Sequence, residues 1–203
     1  MQTAIFVDAD VLLRDSQLDP GDLPKEWALA PATLEAMRAL SRGDDLVLLY
    51  GDTGLKGESR SVLLQLVAQV TAGGGEIDAL IVCPHEDGEG CQCWADSPGL
   101  IWVAALQFDL RLEACYLLDD SQRGVATARA AGVRAVLPLG ARSVEEAIGA
   151  FPRYKDFPLA MDLAKALYYV ETESAIAEEL GHSRDRAPAM PTAESLYADP
   201  DCL

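Results

Sequence analysis

The sequence predicts an α/β protein built on a parallel sheet with helices on both faces. Three observations carry that reading. Apolar runs of strand length recur at residues 4–7, 46–50, 79–83, 114–118 and 135–137. The segments between them mostly carry helical periodicity. The runs are continuously apolar rather than alternating, as expected for strands buried on both faces and joined by right-handed crossovers.

Each element has its own signal. The first strand is Ala4-Ile5-Phe6-Val7. A helix follows over 31–40, with Leu34, Ala36, Met37 and Leu40 on one face, and a second over 59–70, with Val62, Leu63, Leu66, Val67 and Val70 on another. Residues 98–106 and 125–131 supply two more helices. After about Ser143 the pattern changes to a short apolar stretch, 144–151, and then a longer helix predicted over 158–180, with Gly181 as its C-terminal cap. Within it, Tyr168 and Tyr169 place one ring toward the core and the other near the rim. From His182 onward Ser, Pro, Asp and Ala dominate. The expected division is an α/β domain over 1–150, a helical extension over 151–181 and an acidic, flexible tail over 182–203. The helix and tail are the expected docking face for a protein partner.

Composition narrows the function. The chain has 203 residues, half of them hydrophobic, and a formal net charge of −17. Such a charge repels phosphate backbones and anionic lipid, so neither nucleic acid nor membrane is an expected partner. A divalent metal would let so acidic a protein hold an anionic small molecule. No leader segment and no run of eighteen uncharged apolar residues is evident, which predicts a cytoplasmic protein. Five cysteines, an odd number, argue against a disulfide scaffold. Cys115, central in an apolar strand, reads as a packed core thiol.

In such sheets ligands bind beyond the C-terminal ends of the strands. The first strand ends in Asp8-Ala9-Asp10, two carboxylates at i and i+2. One can attack an electrophile while the other manages protons; an Asp-rich turn that caps the next helix is the bland alternative. The fourth strand ends in Asp119-Asp120-Ser121, and two acidic ends on neighbouring strands make an oxygen-rich site suited to Mg²⁺. The third strand runs into Cys83-Pro84-His85, followed by Cys91-Gln92-Cys93. Three thiolates and an imidazole this close predict a structural Zn²⁺ site that staples the loop, with a reactive-thiol site as the alternative.

Asp8-Ala9-Asp10 after an apolar strand, the Cys83-Pro84-His85…Cys91-Gln92-Cys93 loop with Pro98-Gly99-Leu100 after it, and Asp120-Ser121 leading to Arg129-Ala130-Ala131-Gly132 resemble the haloacid dehalogenase (HAD) superfamily. The subgroup resembled is that of the capless, zinc-loop heptose-bisphosphate and histidinol-phosphate phosphatases. The resemblance spans about residues 3–140 and implies a Rossmann-like HAD fold without a large cap domain. It implies that Asp8 is the nucleophile that forms an aspartyl-phosphate, and that Asp10 is the general acid and base. Mg²⁺ would be held by Asp8, the carbonyl of Asp10, and Asp120. The implied reaction is hydrolysis of a small phosphorylated sugar or metabolite.

Three phosphate-handling positions depart from the pattern. Tyr50 stands where the family has Thr or Ser, Ala95 where it has the phosphate-binding lysine, and Gly124 where it has a second aspartate, while Asp119 replaces the glycine of that motif. Each lost charged contact to a transferring phosphoryl group is worth about 2–4 kcal/mol. The candidate compensators in the sequence are Thr53, Lys56 and Arg123, with ordinary loop surface as the alternative reading of each. A catalytically impaired relative with a binding, regulatory or assembly role is the competing reading.

Overall fold

The sheet is six-stranded and parallel, in the order β3-β2-β1-β4-β5-β6. It is seen in a computed structural model that describes residues 2–51, 57–83, 98–140, 142–143, 145–146 and 157–180. The strands are β1 (Ala4–Asp8), β2 (Leu46–Gly51), β3 (Ala79–Val82), β4 (Tyr116–Leu118), β5 (Arg134–Pro138) and β6 (Leu159–Ala160). The helices are α1 (Ala9–Asp15), α2 (Pro31–Leu40), α3 (Gly57–Ala72), α4 (Gly99–Phe108), α5 (Gln122–Ala131) and α6 (Leu163–Leu180).

Alternation along each strand divides the core into two layers. Ile5, Val7, Val47, Leu49, Tyr116 and Leu118 face α1, α2, α3 and α6, where Leu12, Met37, Leu66 and Leu163 are buried. Phe6, Leu48, Tyr50 and Leu117 face α4 and α5, packing with Ile101, Ala104 and Ala128. Burial of both faces is why the strands read as unbroken apolar runs. The central strands β1 and β4 are the most enclosed, and both deliver aspartates to the C-terminal edge.

One stretch differs from the sequence expectation. The predicted helix over 158–180 starts five residues later, because residues 159–160 extend the sheet as β6, with Leu137 opposite Leu159 and Pro138 opposite Ala160. Two residues are too few for strand periodicity to show. The helix α6 packs on the sheet, with Leu163, Ala166, Leu167 and Val170 buried in the same layer as α1 and α2. Tyr169 packs against this layer while Tyr168 faces solvent, as the sequence predicts. Among the described residues no helix is long and apolar enough to cross a membrane.

One carboxylate ties three helices together. Asp15, at the end of α1, accepts from Thr33 Oγ1 of α2 at 2.6 Å and from the backbone N–H of Leu163 at 2.9 Å. It therefore satisfies an orphan donor at the start of α6 while fixing α2 beside it. Cys115 is fully buried, and desolvation pushes its thiol up to about 12.

Hydrogen bonds to an ionised group contribute about 1.5–3 kcal/mol each. Asp15→Ala is therefore expected to lower unfolding stability by about 2–4 kcal/mol in urea denaturation, with Asp15→Asn losing less. Cys115 should resist alkylation by iodoacetamide at pH 8 in the native protein and react fully in denaturant, as read by peptide mass spectrometry.

Candidate active site

Asp8 is the last residue of β1 and the N-cap of α1: its Oδ1 accepts the backbone N–H of Asp10 at 2.9 Å. The capping and the reactive readings of Asp8-Ala9-Asp10 are thus compatible, since the cap fixes the carboxylate at the sheet edge. Asp8 is 8% exposed, enough to meet a ligand while its surroundings stay largely dry. Val7 pairs with Leu118 in the β1–β4 ladder, so the next residues, Asp8 and Asp119, leave adjacent strands side by side.

Asp119 and Asp120 are both 2% exposed. Asp119 Oδ1 accepts the N–H of Ser121 at 2.7 Å, and Ser121 Oγ caps α5 by accepting the N–H of Gly124 at 2.9 Å. The glycine at 124 has a steric cause. A Cβ there would lie 1.8 Å from Asp119 Oδ2 and 1.9 Å from its Cγ. The Asp119 carboxylate thus fills the space from which a side chain at 124 would project. An acidic group therefore stands at this corner of the site only because residue 124 lacks a side chain.

Asp120 is gripped from two sides. Arg14 Nη1 donates to Oδ1, while Arg14 Nη2 reaches Asp10 Oδ2 at 3.1 Å. Arg142 Nη2 lies 2.6 Å from Oδ2 and also donates to the Asp120 carbonyl at 2.6 Å. The Nε–H of Arg142 is buried and has no acceptor among the described residues. Gly140, at φ +57°, lets the chain after β5 pass the end of α1, where a Cβ would sit 3.3 Å from the Arg14 carbonyl.

The structure therefore brings Asp8, Asp10 and Asp120 to one edge of the sheet, together with Asp119. Arg123 lies in the first turn of α5, three residues after Asp120. Cys83 is fully buried just past β3. His85, Cys91, Cys93, Thr53, Lys56 and Ala95 lie outside the described residues. Tyr50 is 2% exposed and packs with the α4-side core, so its bulk is directed away from solvent.

Sequence reasoning missed Arg14 and Arg142. Arg14 had a signal, since it stands four residues after Asp10 at helical spacing, where carboxylate and guanidinium meet. Arg142 had none, because the loop after β5 alone carries it back to Asp120. Among the described residues no three His, Cys, Asp or Glu side chains form a group able to hold a metal ion. A Mg²⁺ site needs less: one or two carboxylates, other oxygens and several waters. The oxygen donors of Asp8 and Asp120 suit that ion, with the carbonyl of Asp10 between them in sequence.

A central parallel strand ending in paired aspartates lies beside a neighbour ending in a second acidic pair, and the fold is the Rossmann-like HAD fold. Within that class its sequence resembles heptose-bisphosphate phosphatases. It is 27% identical over 134 residues to the D-glycero-β-D-manno-heptose-1,7-bisphosphate 7-phosphatase of Pseudomonas putida, covering 61% of this chain and 77% of the relative. Identity to the enzyme of the same name from Bordetella bronchiseptica is 29% over 119 residues, 54% of this chain and 65% of that one. The crystal structure of D,D-heptose 1,7-bisphosphate phosphatase from B. bronchiseptica, complexed with magnesium and phosphate, superposes with a TM-score of 0.69 at 23% identity. It covers 85% of this chain and 99% of that chain. No protein-family model matches the chain.

Adding a methyl group at 124 must displace the Asp119 carboxylate. Gly124→Ala is expected to cost about 2–4 kcal/mol of unfolding stability. Gly124→Ala/Asp119→Ala should be more stable than Gly124→Ala alone, a non-additivity that a double-mutant cycle in urea would read directly.

Proposed function

We propose that the protein is a Mg²⁺-dependent phosphomonoester hydrolase that acts on a small phosphorylated sugar through an aspartyl-phosphate on Asp8. The observation that supports this best is the convergence of Asp8 and Asp10 with Asp119 and Asp120 at the C-terminal edge of adjacent central strands. The relatives' names add the substrate class, sugar bisphosphates of the heptose kind.

In the proposed reaction an Asp8 carboxylate oxygen attacks phosphorus and the bond from phosphorus to the ester oxygen breaks. The carboxyl group of Asp10 gives its proton to the leaving alkoxide. Asp10 then takes a proton from a water molecule, which attacks the phosphorus of the mixed anhydride and frees Asp8 and inorganic phosphate. The N-cap hydrogen bond from Asp10 to Asp8 Oδ1 fixes the nucleophile's rotamer before substrate arrives. Asp8, the Asp10 carbonyl and Asp120 are the groups that would hold Mg²⁺, and when bound the ion would supply positive charge to the transferring phosphoryl group.

A structural Zn²⁺ on Cys83, His85, Cys91 and Cys93 is part of the same proposal, supported by the donor chemistry of three thiols and an imidazole. The candidate cations for the phosphoryl group are Lys56 and Arg123, with Thr53 as a candidate hydroxyl donor.

Phosphate release from a panel of sugar mono- and bisphosphates with Mg²⁺ tests the reading. Asp8→Asn removes the nucleophile and should reduce kcat by at least about 10³-fold. Release that is equal in wild type and Asp8→Asn, or absent from both across the panel, would overturn the hydrolase reading.

A further inference from the structure

Both carboxylate oxygens of Asp120 are engaged by guanidinium groups, and the two arginines are not equivalent. Arg142 is built into its place, since Nη2 holds the Asp120 carbonyl as well as Oδ2, both at 2.6 Å. It orients the carboxylate with respect to its own backbone. Arg14 has no such anchor. It projects from α1, and its second partner, Asp10, has a side chain 38% exposed. The Arg14 side chain is itself 33% exposed, whereas that of Asp120 is 3% exposed. Arg14 therefore reaches water where Asp120 does not, and what sets it apart from Arg142 is the lack of a backbone contact to the Asp120 strand end.

A nearly buried carboxylate needs a counter-charge, because leaving one uncompensated is strongly destabilising. Arg14 Nη1 supplies it at Oδ1, while the other arm of the same guanidinium holds Asp10. The Mg²⁺ ion of the proposed function would need an Asp120 oxygen, and both are engaged by guanidinium groups. A guanidinium and a divalent cation repel each other and cannot both take one oxygen as close partners.

We propose that Arg14 is an internal counter-ion that competes with the divalent cation for Asp120, whereas Arg142 positions the carboxylate for it. Arg14 then sets the concentration at which the metal enters. In metal-free protein it neutralises Asp120, and on metal entry it is released toward solvent from a point beside Asp10. The inference rests on the proposed metal site but not on turnover.

Calorimetric titration of the full-length chain with Mg²⁺ alone, paired with melting curves in chelator and in Mg²⁺, tests it. Arg14→Met should bind Mg²⁺ about tenfold or more tightly than wild type, melt lower in chelator, and gain more from added Mg²⁺. Arg142→Met should bind Mg²⁺ more weakly than wild type, so the two arginines differ in sign. Arg14→Lys, which keeps the charge but cannot fork between two carboxylates, should fall between wild type and Arg14→Met, and it carries the test if Arg14→Met does not fold. Unchanged or weaker Mg²⁺ binding in these Arg14 variants would overturn the proposal, as would absence of Mg²⁺ binding in every variant. Phosphate release measured on the same wild-type preparation separates that outcome from failure of the hydrolase reading.

Discussion

Asp120 sits almost dry at the end of β4, with a guanidinium group on each carboxylate oxygen, and the rest of the site is arranged around that constraint. A buried carboxylate is tolerated when its charge and lone pairs are met. Here the partners come from α1 and from the loop after β5, so the pairing also staples the two sides of the sheet's C-terminal edge. Gly140 permits the close passage that brings the second partner in. The same edge carries Asp8, whose rotamer is set by capping α1. Fold and site thus share groups: the aspartates that start helices or anchor loops are those with the chemistry to accept a phosphoryl group or hold a cation.

The departures at phosphate-handling positions acquire physical content at two of three places. Gly124 and Asp119 are a coupled pair, because the carboxylate occupies the space where a Cβ at 124 would stand. Tyr50 is buried with the α4-side core, so its ring contributes to packing there. The third, Ala95, lies outside the described residues. Positive charge at the acidic edge comes instead from Arg14 and Arg142, each able to present a planar fork of donors.

Much of the architecture was legible because it rests on long, regular signals. Five apolar runs separated by helical segments define a parallel sheet, and parallel sheets constrain where ligands bind. The positions of Asp8, Asp10 and Asp120 follow from their places at strand ends. Short-range and return features were not legible. The two residues of β6 are too few to show a period, and their pairing with β5 is a long-range contact that shortens the helix expected before Leu163. Arg14 was within reach of helical spacing from Asp10. Arg142 was not, since nothing local marks a loop that folds back over 22 residues to a particular carboxylate.

The most direct test of the central claim needs no knowledge of the substrate. Beryllium trifluoride binds a nucleophilic aspartate as a mimic of its phosphorylated form, and ¹⁹F NMR distinguishes bound from free fluoroberyllate. A site that accepts a phosphoryl group on Asp8 with Mg²⁺ nearby predicts a bound ¹⁹F signal that requires Mg²⁺ and disappears in Asp8→Asn. A signal that persists in Asp8→Asn, or none in wild type at saturating Mg²⁺ and fluoroberyllate, would contradict it.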